Sequence, residues 1–155
     1  MATFQDRVIV VTGASEGIGR ALCISLAPQK PKLVLAARNK ERLQELKSEV
    51  EAKGAQALIV PTDVTDENAC ERLIENTLAE YEHLDVLVNN AGRTMWTTLD
   101  ELQDTSIIKQ LIHLNYLGAA YCTYFALPLA GWTGWPQKPF GKPDKRVFNN
   151  YSTIV

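Results

Sequence analysis

The chain of 155 residues has the length of about one domain and is long enough to bury a substantial hydrophobic core. Hydrophobic residues make up 46% of it and charged residues 22%, which is a globular composition. The formal net charge of −2 argues against a protein that binds nucleic acid electrostatically, so we expect no nucleic-acid partner.

The cysteines and the apolar stretches bear on where the protein acts. Cys23, Cys70 and Cys122 have no metal-ligand or disulfide spacing, so the sequence predicts reduced thiols, no metal site and a cytoplasmic protein. The first apolar run is only a few residues long, shorter than the core of an export signal. Residues 116–130 form a longer apolar stretch, but a bilayer span needs about 20 residues. We therefore expect a buried helix there and no membrane partner.

The first predicted strand runs directly into a glycine-rich loop. Apolar residues 8–11 are followed by Thr-Gly-Ala-Ser-Glu-Gly-Ile-Gly at residues 12–19, and the chain then continues as helix. Gly13 permits a sharp turn, Gly17 lets the backbone approach a pyrophosphate, and Gly19 allows close packing of helix on strand. Unpaired N–H groups at a helix start attract an anion. The loop therefore predicts a nucleotide phosphate site, although a glycine-rich turn without a ligand is an alternative.

The second predicted strand, residues 32–37, ends where the ribose of a dinucleotide would lie. In nucleotide-binding folds an acidic residue there binds the 2′-hydroxyl of NAD, whereas an arginine accommodates the 2′-phosphate of NADP. Ala37 has no carboxylate, and Arg38 supplies a guanidinium that can bind phosphate through two parallel hydrogen bonds. NADP is therefore the predicted cofactor and NAD the less favoured one. The alternative is that Arg38 only begins a solvated helix, and Glu16 stands where many NADP-type loops carry a basic residue.

Helices and strands continue to alternate along the chain. Asn39 can cap a helix that Gly54 ends, and residues 57–60 are predicted to form a short buried strand. Thr65 can cap the next helix. This alternation of strand and helix is typical of a parallel, doubly wound sheet.

Two further elements complete the predicted scaffold. Residues 84–88 form an apolar strand that ends in Asn-Asn-Ala-Gly at residues 89–92. A last helix is predicted from about residue 105 to residue 129.

Four motifs in this order resemble those of the short-chain dehydrogenase/reductase superfamily. They are the glycine loop, of the form T-G-x-x-x-G-x-G, the Asp-Val pair after the third strand, the Asn-Asn-Ala-Gly at residues 89–92, and the Asn-x-x-Gly at residues 115–118. The resemblance covers residues 5 to about 129. It implies a Rossmann-like, doubly wound α/β fold with strand order 3-2-1-4, and hydride transfer between a nicotinamide cofactor and a carbonyl or alcohol.

The resemblance also implies which residues act. Asp63 is expected to contact the adenine, and residues 89–92 border the cofactor and tie the central strands together. Asn115 is the implied catalytic residue, since the family's Asn supports a proton-relay water; a satisfied buried amide is the alternative. The residues implied to bind the cofactor are Gly13, Ser15, Gly17, Ile18, Gly19, Arg38, Asp63, Val64, Asn90, Ala91 and Gly92.

The catalytic set of the family is incomplete in this chain. The family uses a Tyr as general acid or base, a Lys four residues later that lowers the pKa of that Tyr, and a Ser. None of the five tyrosines has a Lys at this spacing. A register that skips the fifth strand would place Lys145 near the Lys position and Gly141 at the Tyr position, and an unrelated tail is the alternative. The sequence thus predicts an oxidoreductase represented in part or a non-catalytic nucleotide-binding or partner-binding protein.

The sequence divides into a dinucleotide-binding domain, residues 1–130, and an irregular tail rich in Gly, Pro and Trp, residues 131–155. Three prolines between residues 136 and 143 each remove a backbone donor and fix φ, which disfavours regular structure. A sheet that stops after its fourth strand would leave residues 84–88 with an unpaired edge, so we expect self-association unless the tail folds back and covers that edge. No motif identifies the substrate.

Overall fold

The computed structural model describes residues 4–95, 98 and 100–127, together with the backbone of residues 153–154. Its elements in chain order are β1 (Val8–Thr12), α1 (Gly17–Leu26), β2 (Lys32–Ala37), α2 (Lys40–Ala52), β3 (Gln56–Pro61), α3 (Glu67–Tyr81), β4 (Val86–Val88), α4 (Ser106–Ile112), α5 (Gly118–Ala126) and β5 (Thr153–Ile154). A short 3₁₀ turn, Ala27–Gln29, follows α1, and a π-helical turn, His113–Leu117, joins α4 to α5.

The strands form one parallel sheet in the order β3-β2-β1-β4-β5. Val10 in the middle of β1 is aligned with Val34 of β2 on one side and with Leu87 of β4 on the other. The predicted order 3-2-1-4 is confirmed, and the fold is the Rossmann-like α/β fold. β2 and β3 lie on one side of β1 within the sheet, and β4 lies on the other side. The strand order therefore reverses between β1 and β4.

The tail contributes a strand that the sequence did not predict. Thr153 pairs with Val86, and Ile154 pairs with Leu87. The tail therefore covers the edge of β4 at these two residues, which is the alternative that the sequence left open. Two residues are too few to show a strand periodicity in the sequence. The rest of the predicted tail, with Lys145 and Gly141, lies outside the described residues, and self-association stays a prediction.

Apolar side chains are buried on both faces of the sheet because successive strand residues point to opposite sides. Val8 and Val10 belong to a cluster that α3 and α5 cover. Ile9 and Val11 belong to a second cluster, which α1 and α2 cover. All five residues of β1 are buried, as expected for the central strand of a sheet with helices on both faces.

The helix ends test the predicted caps. Asn39 caps α2, since its Oδ1 accepts a hydrogen bond from the Arg42 N–H at 2.8 Å, and Gly54 follows the helix with φ of +103°. The prediction that Thr65 caps α3 is wrong. Asp66 is the cap, with Oδ1 3.0 Å from the Asn68 nitrogen. The Thr65 hydroxyl donates instead to the neighbouring Asp63 carboxylate, which draws it away from the helix.

The last predicted helix is divided rather than continuous. The π-helical turn interrupts it between α4 and α5, and residues 128–129 lie outside the described residues. The predicted burial holds for one side only: Cys122 and Ala126 are buried, whereas Tyr116 is 70% exposed and Tyr124 51% exposed. None of the helices that the structure describes is both long enough and apolar enough to cross a membrane.

Candidate functional site

The loops after β1 and β4 meet at the carboxyl edge of the sheet, where the strand order reverses. Parallel α/β sheets bind ligands in the crevice at this point. The loop after β1 is the glycine-rich segment, and the loop after β4 carries residues 89–92. Each predicted site residue can be located relative to this crevice.

A buried threonine joins the two loops. The Thr12 Oγ1 accepts hydrogen bonds from the backbone N–H groups of Asn90 and Ala91, both at 3.0 Å, and donates to the Val88 carbonyl at 3.3 Å. Thr12 is 1% exposed, so these groups are shielded from water. Thr12 belongs to the glycine-loop motif, but no role for it was predicted from the sequence. Its position as the last residue of an apolar strand, directly before Gly13, was the available signal.

The Asn90 side chain makes the second connection between the loops. Its Nδ2 donates to the carbonyl oxygens of Thr12, at 3.0 Å, and of Gly13, at 3.3 Å. The tie between central strands that the resemblance implied for the Asn-Asn-Ala-Gly segment is therefore present in this chain, and the atoms that make it are the Asn90 amide and the Thr12 hydroxyl.

The three glycines of the loop have distinct roles. Gly13 has φ of +66°, and a Cβ there would lie 2.8 Å from the Ala91 Cα. A Cβ on Gly19 would lie 2.5 Å from the Asn90 Nδ2, so only glycine lets α1 begin this close to the second loop. Gly17 has φ of +56°, and a Cβ there would meet no atom within 4 Å. Gly13 and Gly19 thus serve packing, whereas Gly17 borders open space.

The start of α1 offers backbone donors beside that open space. Glu16 precedes the helix but makes no side-chain capping bond, and the first turn holds no acidic residue. The first N–H groups of a helix have no partner within it, and the helix dipole adds positive potential. Ser15 is half-buried and the Ile18 side chain is 80% exposed, so both lie at the surface of the loop. An anion of phosphate size fits this donor set.

The end of β2 places a cation next to the glycine loop. Ala37 is buried at the end of the strand, and Arg38 follows it as an exposed side chain. Within the part of the chain that the structure describes, the Arg38 guanidinium has no ion-pair or hydrogen-bond partner. Its donors are therefore available to a ligand.

The loop after β3 is ordered by its own side chains. The Asp63 Oδ1 accepts hydrogen bonds from the Thr65 N–H at 3.0 Å and the Thr65 hydroxyl at 2.8 Å. Val64 is buried, and a Cβ on Gly118 would lie 2.7 Å from the Val64 Cγ2. Gly118, the glycine of the Asn-x-x-Gly motif, thus lets α5 pack directly on this loop. This role of Gly118 was not predicted from the sequence.

Asn115 lies in the π-helical turn and joins it to the segment after Gly92. Its Oδ1 accepts from the Arg93 N–H at 3.0 Å, and its Nδ2 donates to the Arg93 carbonyl at 2.8 Å. The amide of Asn115 is satisfied by hydrogen bonds, as the alternative interpretation predicted. It is not buried, however, because Asn115 is exposed. π-helical turns inside α-helices are frequent at functional sites. Asn115 therefore faces the loop that continues from residues 89–92.

The structure also bears on the reactivity of the cysteines and on metal binding. Burial raises the pKa of the Cys23 thiol to about 12, and a hydrogen bond to Cys70 together with burial raises the pKa of the Cys122 thiol. Thiols held protonated in this way are poor nucleophiles and poor metal ligands. The described residues contain no cluster of three or more His, Cys, Asp or Glu side chains that could hold a metal ion.

Comparison with known proteins agrees with this geometry. The family model described as short chain dehydrogenase matches residues 7–134. The chain belongs to the short-chain dehydrogenase family of oxidoreductases. It is 38% identical over 125 residues to an 11-beta-hydroxysteroid dehydrogenase from Pinus massoniana, a match that covers 80% of this chain and 35% of that protein. The chain therefore spans about a third of that relative's length.

Solved structures of the family share the fold. An alcohol dehydrogenase from the archaeon Thermococcus sibiricus, complexed with 5-hydroxy-NADP, matches with a TM-score of 0.75 and 31% identity over 79% of this chain and 52% of that chain. An NADH-dependent reductase, A1-R′, complexed with NAD, matches with a TM-score of 0.75 and 26% identity over 82% of this chain and 53% of that chain. Members of the family thus bind nicotinamide dinucleotides of both kinds.

Proposed function

We propose that this chain is the cofactor-binding half of a short-chain dehydrogenase/reductase and that it binds NADP in preference to NAD. The observation that carries the proposal is the junction of the glycine loop with residues 89–92. Thr12 and Asn90 fix the two loops against each other, and α1 begins there with unpaired N–H groups. A pyrophosphate would lie at the start of α1, beside Gly17.

The preference for NADP rests on the end of β2. The chain has no carboxylate at Ala37 to accept a hydrogen bond from a 2′-hydroxyl, and the exposed Arg38 guanidinium can bind a 2′-phosphate through two parallel hydrogen bonds. Family membership alone does not decide the cofactor, since relatives of known structure carry NADP-type and NAD ligands. The proposal therefore depends on Arg38.

The residues of this chain would hold and orient the cofactor, and the bound nicotinamide would supply or accept the hydride. Asp63 and Val64 lie in the loop after β3, beside the expected adenine position, while Ala91 and Gly92 follow β4 at the crevice. Asn115 is placed by Arg93 at the continuation of that loop, where a proton-relay water would be held. The parent reaction is hydride transfer between nicotinamide and a carbonyl or alcohol.

Turnover is not expected from this chain by itself. Its sequence has no Tyr followed four residues later by a Lys, and general acid–base catalysis of this kind is worth about 10² to 10⁴ in rate. Family membership supports an oxidoreductase over a non-catalytic binding protein built on the same scaffold. We therefore assign cofactor binding to this chain. The complete hydride transfer would also need the Ser, Tyr and Lys that the family uses.

Titration of NADPH and NADH against the wild-type chain and Arg38→Ala tests the cofactor assignment. We expect NADPH to bind more tightly to the wild type, and the variant to lose about 1.5 to 3 kcal/mol of NADPH binding while its NADH affinity is unchanged. Arg72→Ala is the matched control, because Arg72 is an exposed arginine on α3, which packs on the opposite face of the sheet from α2. Equal affinities of the wild type for the two cofactors would refute the preference.

A further inference from the structure

A second arginine lies close to the end of β2. Arg42 is in the first turn of α2, four residues after Arg38. Its guanidinium forms an ion pair with the carboxylate of Glu16, which belongs to the glycine loop. Because β1 and β2 are adjacent and parallel, the loops that follow them lie side by side at the carboxyl edge of the sheet. The Glu16–Arg42 pair therefore joins the glycine loop to the first turn of α2, beside the expected position of the adenosine ribose.

Both side chains of the Glu16–Arg42 ion pair are exposed to solvent. The Glu16 side chain is 73% exposed and the Arg42 side chain 53% exposed. Exposed ion pairs contribute little net free energy, because water screens them and two long side chains must be ordered. The pair is therefore weak enough to be exchanged for a better partner of Arg42.

A phosphate group is a better partner for a guanidinium than a carboxylate in this setting. A phosphomonoester carries close to two negative charges at neutral pH and offers three acceptor oxygens, and the arginine fork can bind two of them in parallel. The Arg42 backbone N–H is already fixed by Asn39 at 2.8 Å, so only the side chain has to move. Arg42 can thus turn from Glu16 to a phosphate without disturbing α2.

We propose that Arg42 is a second ligand of the NADP 2′-phosphate beside Arg38, and that Glu16 limits the affinity by competing for Arg42. This inference rests on the proposed function. When the phosphate binds, the Arg42 guanidinium exchanges the Glu16 carboxylate for phosphate oxygens, and the carboxylate is left solvated near an anion. Because neighbouring like charges repel, Glu16 would lower the affinity for the 2′-phosphate below the affinity that the two arginines alone would give.

The experiment measures adenosine 2′,5′-bisphosphate and 5′-AMP binding to the full chain by calorimetry. These two nucleotides differ only in the 2′-phosphate, so the ratio of their affinities reports that group alone. We expect Arg42→Ala to weaken bisphosphate binding about tenfold and to leave 5′-AMP binding unchanged, because one charged hydrogen-bonding partner is lost. Arg42→Lys should lie between the wild type and Arg42→Ala, since it keeps the charge but not the fork.

Glu16→Gln should change the affinity ratio in the opposite direction. Removing the competing carboxylate should strengthen bisphosphate binding about threefold without changing 5′-AMP binding. Arg72→Ala again serves as the control and should have no effect on either nucleotide. Circular dichroism of each variant shows whether it has folded.

The outcomes separate this inference from the proposed function. If Arg38→Ala lowers the affinity ratio and Arg42→Ala does not, the cofactor assignment holds and the second-ligand role is wrong. If Glu16→Gln weakens bisphosphate binding, Glu16 positions Arg42 and does not compete for it. If the wild type binds neither nucleotide, or binds both equally, the proposed function and this inference are both overturned.

Discussion

The Thr12 hydroxyl is the atom on which the junction between β1 and β4 depends. It accepts two backbone N–H groups and donates to a carbonyl, all within a site that is nearly closed to water. A buried donor that loses its acceptor costs about 1–3 kcal/mol, because its hydrogen bond to water in the unfolded chain is not replaced. One side chain therefore stabilises both loops of the candidate site.

Thr12→Val keeps the shape of this side chain and removes the acceptor. We expect the free energy of unfolding to fall by about 2 kcal/mol, measured by urea denaturation, because the Ala91 N–H loses its acceptor and the Asn90 N–H keeps only the Val88 carbonyl at 3.1 Å. Thr12→Ser restores the hydroxyl and should recover most of the loss. Equal stability of the Val variant and the wild type would show that the hydroxyl does not hold the loops together.

At the opposite edge of the sheet, Asp85 joins the amino ends of β1 and β4. Asp85 is 5% exposed. Its carboxylate accepts hydrogen bonds from the Val8 N–H at 2.8 Å and from the Arg7 guanidinium at 2.7 Å, and its Oδ2 lies 3.2 Å from the His83 Nε2. The Arg7 side chain is 56% exposed, so its ion pair contributes less than the buried bond to Val8. The two central strands are thus fixed at both ends by side-chain hydrogen bonds.

Asp85→Ala should lower the free energy of unfolding by about 2–3 kcal/mol, because the buried Val8 N–H loses its acceptor. Asp85→Asn, which keeps an acceptor oxygen, should lose about half as much. Urea denaturation measures both variants, and Glu75→Ala on the exposed side of α3 is the control. An Asn variant as unstable as the Ala variant would mean that the charge of Asp85, rather than its bond to Val8, is what matters.

Much of this architecture could be predicted from the sequence because local patterns determine it. The glycine spacing, the alternation of apolar segments and the Asn39 cap each depend on neighbouring residues, and each matches the structure. The cap of α3 was misplaced by one residue because Thr65 and Asp66 are both good N-cap residues, and local spacing alone does not show that the Thr65 hydroxyl bonds to Asp63 instead.

The features that the sequence did not reveal depend on distant residues. The Thr12 bonds span 78 and 79 residues, and the Glu16–Arg42 pair spans 26. The strand β5 has only two residues, and its place is set by β4 rather than by its own pattern. The π-helical turn around Asn115 likewise shows no local signal, since its residues suit an ordinary α-helix.

At the scale of the whole molecule, the described residues form a parallel sheet with helices on both faces and a crevice where the strand order reverses. The stabilising bonds of Thr12 and Asn90 lie at this crevice, and the donors of α1 and the side chain of Arg38 remain available beside it. Such an arrangement combines a rigid frame with unsatisfied donors, which is what anion binding requires. The central claim is therefore that the glycine loop binds the pyrophosphate of a nicotinamide dinucleotide.

NADPH binding to the wild type, Gly17→Ala and Gly54→Ala, measured by calorimetry, tests that claim most directly. Both glycines have positive φ, and an added Cβ would meet no atom within 4 Å at Gly17 and only the Lys30 side chain, at 3.5 Å, at Gly54. Both variants therefore carry backbone strain, and Gly54→Ala carries the larger share because its φ of +103° lies outside the left-handed α region. We predict that Gly17→Ala weakens NADPH binding at least about tenfold, because the methyl group occupies the approach to the start of α1, and that Gly54→Ala binds like the wild type. Wild-type affinity in Gly17→Ala, or an equal loss in both variants, would contradict the account.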